Sequence, residues 1–205
     1  MQNGYALHGE ATSYSQAVAA TVQDEDLVES IARGDKDAMR VLYARHGVRV
    51  YRFILRMTGD VSLSEDLLSE VFFNVWRQAD TFEAKSKVST WLLAIARYKA
   101  MSALRRRRSD EQLDDAKAAV IEDPSDGPEI TLHATQRSAL VRKCLTKLAP
   151  AHRQVIDLVY YHEKSVEEVA QVVGIPANTV KTRMFYARAR MAQLLAEAGV
   201  ERAWL

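Results

Sequence analysis

The stretch Asp123-Pro124-Ser125-Asp126-Gly127-Pro128 limits what this chain can fold into more than any other. Two prolines and a glycine within five residues stop a helix, because proline lacks an amide donor and clashes with the preceding turn. The same region is acidic: residues 109–130 carry eight acids and one lysine, a net charge of −7. Such a segment buries little apolar surface and reads as a flexible linker over 109–131. Whatever folds must therefore fold on either side of it. Eight glycines and four prolines in 205 residues are about half the usual share, which points both flanking blocks towards helices with few turns.

The hydrophobic spacing agrees. Leu27 and Ile31 open a helical pattern, Gly34-Asp35 marks a turn, and Met39, Leu42, Tyr43, His46, Val50, Phe53, Ile54 and Met57 recur at intervals of three and four. Gly59-Asp60 ends that element. Ser64 is expected as the next N-cap, with Glu65 and Asp66 in the first turn, ahead of the stripe Leu68, Val71, Phe72 and Val75. A loop over 79–89 and a helix from Ser89 or Thr90 to Arg108 follow. Beyond the linker, helices are expected at about 135–147 and, after Pro150, at about 151–161, then two short elements split by Gly174-Ile175-Pro176. The fold class is all-α: two small helical domains, 24–108 and 132–197, with tails at 1–23 and 198–205.

The net charge of +1 argues against a simple polycation only as an average. Residues 31–108 sum to +8 and 131–205 to +5, against five acids and no Lys or Arg in 1–30. One cysteine, Cys144, has no internal disulfide partner, which fits a reducing compartment. No stretch resembles a signal peptide or reaches the length of a membrane span, so a cytoplasmic protein without membrane insertion is expected.

The sharpest motif lies near the C-terminus. Ser165 with Glu168 three residues on is a capping box, and Val166, Val169, Ala170 and Val173 form an inner face. Gly174 supplies a turn, Ile175 a plug, and Asn178 a candidate cap for a second helix. There Val180, Met184, Ala187, Met191 and Leu194 make one buried stripe. Helix, glycine turn, helix is the helix-turn-helix arrangement, whose second helix enters the DNA major groove. Its outward side carries Thr182, Phe185, Tyr186 and Ala189 flanked by Lys181, Arg183, Arg188 and Arg190, and residues 178–196 contain no acid. A cationic, acid-free face is a footprint for phosphate; the plainer alternative is a bundle whose last helix happens to be basic.

Two further surfaces stand out in the N-terminal block. Opposite Leu68 and Val71 lie Asp66, Glu70, Phe73 and Arg77; an aromatic among charges suits a protein interface, and a Phe73 covered by a loop is the equal alternative. From Lys85 to Arg108 there are eight cations and no acid, with Trp76, Phe82, Trp91 and Tyr98 among or near them. Bases stack on rings while cations track the backbone, so this pattern suits single-stranded nucleic acid. Trp76 and Trp91 are read as core, and the loop 79–89 as contact.

Signs of catalysis are missing. The five histidines, His8, His46, His133, His152 and His162, are scattered, and Cys144 has no neighbour at ligand spacing, so neither a metal site nor a cofactor is expected. There is no phosphate loop, nucleophile elbow or convincing carboxylate pair, and no catalytic residue is assigned.

With these residues in place, the chain resembles the bacterial RNA polymerase sigma factors of the extracytoplasmic-function (ECF) group over about 24–197. Ser64-Glu65-Asp66-Leu67, Glu70-Val71-Phe72, Val75-Trp76, Phe82, Trp91-Leu92, Ile95-Ala96-Arg97 and Leu104-Arg105-Arg106 look like that family's second region. Leu145, Leu148, Pro150, Arg153, Val155, Val166 to Ala170, Gly174, Thr179 to Arg183 and Ala187-Arg188 look like its fourth. The resemblance implies a specificity subunit, not an enzyme, that binds core RNA polymerase through its largest and second-largest subunits and melts promoter DNA. Asp66, Glu70, Phe73 and Arg77 would dock on the polymerase. Phe82, Lys85, Lys87, Ser89, Trp91, Arg97, Tyr98, Lys99, Arg105 and Arg106 would serve the −10 element, with Arg107 and Arg108 extending the run. Asn178, Thr179, Lys181, Thr182, Arg183, Phe185, Tyr186, Arg188 and Arg190 would read the −35 element. An anti-sigma factor is the implied inhibitor, and the acidic linker would thread the product channel. Tyr98 and Ser102 stand where the family often has Asn and Asp, and Asn178 where Gly is frequent. The rival reading is a free-standing helix-turn-helix regulator, which leaves the basic-aromatic stretch without a role.

Overall fold

Short polar residues and glycines set the helix boundaries. A computed structural model describes residues 22–111 and 132–199; the expectations for both tails and for most of the linker lie outside these residues. Eight helices are described: α1 (Asp24–Ala32), α2 (Lys36–Thr58), α3 (Val61–Gln78), α4 (Val88–Glu111), α5 (Leu132–Thr146), α6 (Pro150–Tyr160), α7 (Val166–Val173) and α8 (Ala177–Glu197). A single 3-10 turn, Ala79–Thr81, follows α3, and no strand occurs among the described residues.

Asp35 caps α2, accepting from the amides of Asp37 and Ala38 at 2.8 and 3.1 Å. Gly59 ends that helix in the left-handed region, at φ +67°, and donates to the Leu55 carbonyl at 2.8 Å. The cap of α3 differs from the expectation. It is Asp60, whose Oδ1 accepts from the Leu63 amide at 3.0 Å, and the helix starts three residues earlier than Ser64. Ser64 is fully buried; its hydroxyl donates to the Asp60 carbonyl at 2.5 Å and pairs with Thr58 Oγ1 at 2.8 Å. Good cap chemistry at 64 was outcompeted by an equally good cap at 60 that also follows the Gly59 turn.

α4 runs three residues past the expected Arg108, into the first acids of the linker, to Glu111. Near its end Arg107 reaches back to Asp60 at 2.9 Å. The Leu63 amide, followed by Arg107, holds the Asp60 carboxyl below the ordinary carboxylate value. The N-terminal core is closed by Leu42, Phe53, Ile54, Val71, Val75, Leu92, Ala96 and Ala100, each at most 2% exposed.

In the C-terminal block, α5 to α8 bury Leu148, Val155, Leu158, Val169, Val180, Met184, Ala187 and Leu194. The expected capping box is present: Ser165 Oγ accepts from the Glu168 amide at 3.1 Å, and Glu168 Oε2 accepts from the Ser165 amide at 3.0 Å. Gly174 turns the chain at φ +69°, and Ile175 packs on the core behind it. Asn178 is not the cap of α8. The helix begins at Ala177 behind Pro176, whose φ of −59° and missing amide suit a helix entry, so Asn178 falls inside the first turn.

Two outcomes are expected. Gly174→Ala should cost about 1 kcal/mol in denaturant unfolding, because a Cβ there meets nothing within 4 Å and only backbone strain remains. Asp60→Ala should cost about 1 kcal/mol at neutral pH. A depressed carboxyl stabilises the fold above its ordinary pKa and loses that effect as pH falls, so the gap between Asp60→Ala and the parent should close below about pH 4.

Candidate nucleic-acid and protein interfaces

Burial of Val180, Met184, Ala187 and Leu194 fixes the rotation of α8. Asn178, Lys181, Thr182, Phe185, Tyr186, Arg188 and Arg190 are thereby exposed, while Thr179 and Arg183 are half-buried. Phe185 and Tyr186 are 68% and 57% exposed and meet edge to face, with ring centroids 5.5 Å apart. Two exposed rings beside cations suit a surface that offers both methyl groups and phosphate. The Thr182 hydroxyl donates to the Asn178 carbonyl at 3.0 Å and keeps its lone pairs for a donor. Arg188 lies over the Tyr160 ring, 5.7 Å from its centroid. Arg190 is held at the end of the helix by Gln193 at 3.1 Å and Glu197 at 3.8 Å.

The basic-aromatic stretch divides into exposed and engaged residues. Lys85, Tyr98, Arg105 and Arg106 are exposed, Lys85 in an ion pair with Glu83. Trp91 is half-buried against Phe82, with ring centroids 4.9 Å apart. Trp76 is likewise half-buried against the core. At the loop tip Ala84 adopts φ +53°, which costs a non-glycine residue about 1–2 kcal/mol and which no sequence signal announces. Lys99 is committed to Glu70 at 2.9 Å, so two residues assigned to different interfaces neutralise one another. Arg97 donates to Gln154 Oε1 at 3.3 Å. Burial first, then Arg183 and Arg105, push its guanidinium pKa down. Cations from two helices of the two blocks thus lie close enough to repel, an arrangement that a polyanion relieves.

On α3, Asp66, Glu70, Phe73 and Arg77 fall on one face and all four are exposed. Phe73 is 62% exposed, with the Arg77 guanidinium 5.9 Å from its ring centroid, so the covered alternative for Phe73 is set aside. Rotation is again fixed from behind, by Leu67, Val71 and Val75.

A set of buried polar residues escaped sequence reasoning: Asp157, His162, Lys164 and Thr90, all under 9% exposed. Burial pushes the Lys164 ammonium pKa down against the pull of Glu168. Glu168 itself sits low: its desolvation is outweighed by hydrogen bonds from the Ser165 amide and Thr90, and by Lys164. The available signal was Asp157 in the apolar run Val155-Ile156-Asp157-Leu158, a charge where a helix interior is expected. Among the described residues no cluster of His, Cys, Asp and Glu is suited to hold a metal, and no helix is long and apolar enough to cross a membrane.

The placement of α8 can be checked directly. Phe185→Ala should change unfolding free energy by less than about 0.5 kcal/mol, whereas Met184→Ala, one residue away and 5% exposed, should cost about 2–5 kcal/mol.

Comparison with known proteins matches residues 42–110 to the Sigma-70 region 2 family and 138–191 to the Sigma-70, region 4 family. The ECF RNA polymerase sigma factor SigW of Bacillus subtilis is 31% identical over 170 residues, covering 78% of this chain and 90% of the relative. SigK of Mycobacterium ulcerans is 32% identical over 160 residues, covering 77% and 86%. Among solved structures, the sigma factor RpoE in complex with the anti-sigma factor NepR from Bartonella quintana superposes with a TM-score of 0.64 at 25% identity, covering 75% of this chain and 94% of that one. CnrH in complex with the cytosolic domain of CnrY gives 0.63 at 26% identity, covering 85% and 97%.

Proposed function

The chain belongs to the ECF group of RNA polymerase sigma factors, and from that premise we propose how its surfaces divide the work of promoter recognition. One observation carries the division: three helices, each locked from behind by a core, present one acid-aromatic face and two cation-aromatic faces.

In this reading the block 24–108 binds core polymerase through Asp66, Glu70, Phe73 and Arg77. A central aromatic ringed by both signs of charge is the composition of a protein contact rather than a DNA contact. The loop 79–89 and α4 take the −10 element. Phe82, Trp91 and Tyr98 supply rings for an unstacked base, and Lys85, Lys87, Ser89, Arg97, Lys99, Arg105 and Arg106 supply donors and phosphate partners. Arg107 is left out of that set because it ties α4 to the Asp60 cap. The block 132–197 sets α8 in the major groove of the −35 element, with Lys181 and Arg188 on phosphates and Thr182, Arg183, Phe185 and Tyr186 towards base edges. The segment 109–131 joins the two blocks along the path of the product RNA, where its negative charge suits a channel that accepts polyanions. The protein acts in the cytoplasm as a binding subunit without catalysis or cofactor. An anti-sigma factor is its reversible inhibitor, a reading supported by the similar sigma factor RpoE, solved in complex with the anti-sigma factor NepR.

Transcription reconstituted from the purified chain, core polymerase and a library of promoter fragments tests the whole reading. Specific transcripts that depend on the chain are expected. Protection of a palindromic site by the chain alone, with no transcripts, would establish the free-standing regulator instead. Reversing Asp66 and Glu70 to lysine should weaken core binding about tenfold with unchanged helix content. Arg183→Ala should weaken promoter binding and relax sequence preference in the −35 element, whereas Lys181→Ala should reduce the slope of log affinity against log salt by about one.

A further inference from the structure

Tyr160, the last residue of α6, belongs to none of the surfaces assigned above. It comes from the helix that precedes the helix-turn-helix pair, and at 56% exposure it adds little to the core. A scattered surface tyrosine needs no explanation, but this one has an arginine across its ring. The Arg188 guanidinium lies 5.7 Å from the ring centroid, within reach of the ring quadrupole. Arg188 and Lys181 stand seven residues apart on α8, two turns of helix, and so share one flank. The end of α6 therefore abuts the flank that carries the two cations assigned to phosphates.

Two properties of this contact suit a DNA surface. A guanidinium resting against the face of a ring keeps its N–H donors, because they point outward in its own plane. The ring thus fixes the arginine without using what a phosphate needs. Other groups on the DNA surfaces are engaged through their polar atoms. Arg190 donates to Gln193 and Arg97 to Gln154, Lys87 approaches Glu168 Oε1 at 3.6 Å, and Ser89 Oγ accepts from Lys164 at 2.6 Å. The second property is charge. The last turn of α6 holds no basic residue, so the partial negative charge at its C-terminal end is unanswered within the helix. Arg188 brings a cation to that end from α8. The next residue, Tyr161, cannot share this task. Its ring is occupied by Arg56 at 4.6 Å, whose Nε also lies 2.5 Å from Asp157 Oδ1.

We propose that Tyr160 is a positioning residue of the −35 surface, its ring holding the Arg188 guanidinium ready for a backbone phosphate before DNA arrives. A free arginine side chain samples many rotamers, and ordering it is part of the cost of binding. An arginine ordered in advance loses less on contact. Phosphate carries no base information, so Tyr160 acts on affinity and leaves sequence preference unchanged. The consequence for DNA rests on the sigma-factor reading; the ring–guanidinium contact is a property of the free chain.

Two measurements test the proposal. In proton–nitrogen correlation spectra of the full free chain, the Arg188 Nε–H signal should move in Tyr160→Leu, which removes the ring current, and stay near its parent position in Tyr160→Phe. Holoenzyme binding is then measured on a promoter fragment recovered from the transcription library. Tyr160→Leu should weaken it about threefold, the weight of one exposed cation–ring contact. Tyr160→Phe should bind as the parent does, and in an Arg188→Gln background Tyr160→Leu should have no further effect. A loss that persists undiminished without Arg188 would overturn the proposal. So would a Tyr160→Phe chain as weak as Tyr160→Leu, which would make the hydroxyl the active group, or an Arg188 signal indifferent to the ring. Failure of the sigma-factor reading would show separately, as absent promoter-specific transcription, with the Arg188 signal still deciding whether Tyr160 holds the arginine.

Discussion

Burial of the stripe Val180, Met184, Ala187 and Leu194 is the constraint on which the C-terminal block depends, because it sets which side of α8 faces outward. The same logic governs α3, held by Leu67, Val71 and Val75, and α4, held by Val88, Leu92, Ala96 and Ala100. A helix locked along one stripe has no rotational freedom left, so every remaining side chain has an address. Charge and aromatic surface placed on the free side become a rigid array. That is what reading DNA requires, since a misplaced donor forfeits its partner.

Electrostatics then separates the tasks. Over residues 178–196 the exposed side of α8 carries cations and rings without an acid, whereas the exposed side of α3 mixes Asp66 and Glu70 with Phe73 and Arg77. Phosphate attracts the first, and a protein surface with its own charges fits the second. Between the two blocks, Arg97, Arg105 and Arg183 approach one another at the cost of mutual repulsion, while Glu168 and Asp157 supply the opposing charge.

Much of the fold was readable from periodicity, because its helices are amphipathic and its turns carry glycine. Gly59 and Gly174 adopt the left-handed conformations that their positions implied, and the Ser165–Glu168 box closes as spaced. Where reading failed, two residues competed for one role: Asp60 displaced Ser64, and Pro176 displaced Asn178. Exposure of Phe73 was undecidable from spacing alone, since a covering loop leaves no periodic trace. The engagement of Lys87, Ser89 and Arg97 was hidden for a different reason. Their partners lie 57 to 81 residues away in sequence, in the other block, and single-helix patterns carry no information about such pairings. The buried Asp157 was the one visible sign that an internal cation was waiting.

In the proposed reading, the chain carries two DNA surfaces that work together when core polymerase is bound. Chemical footprinting of a responsive promoter, with the chain alone and with chain plus core polymerase, tests it most directly. The account predicts protection at both the −35 and −10 elements in the ternary complex, with reactive unpaired bases at −10, and no paired footprint from the chain alone. Protection of both elements by the free chain, or of only one element in the complex, would contradict it.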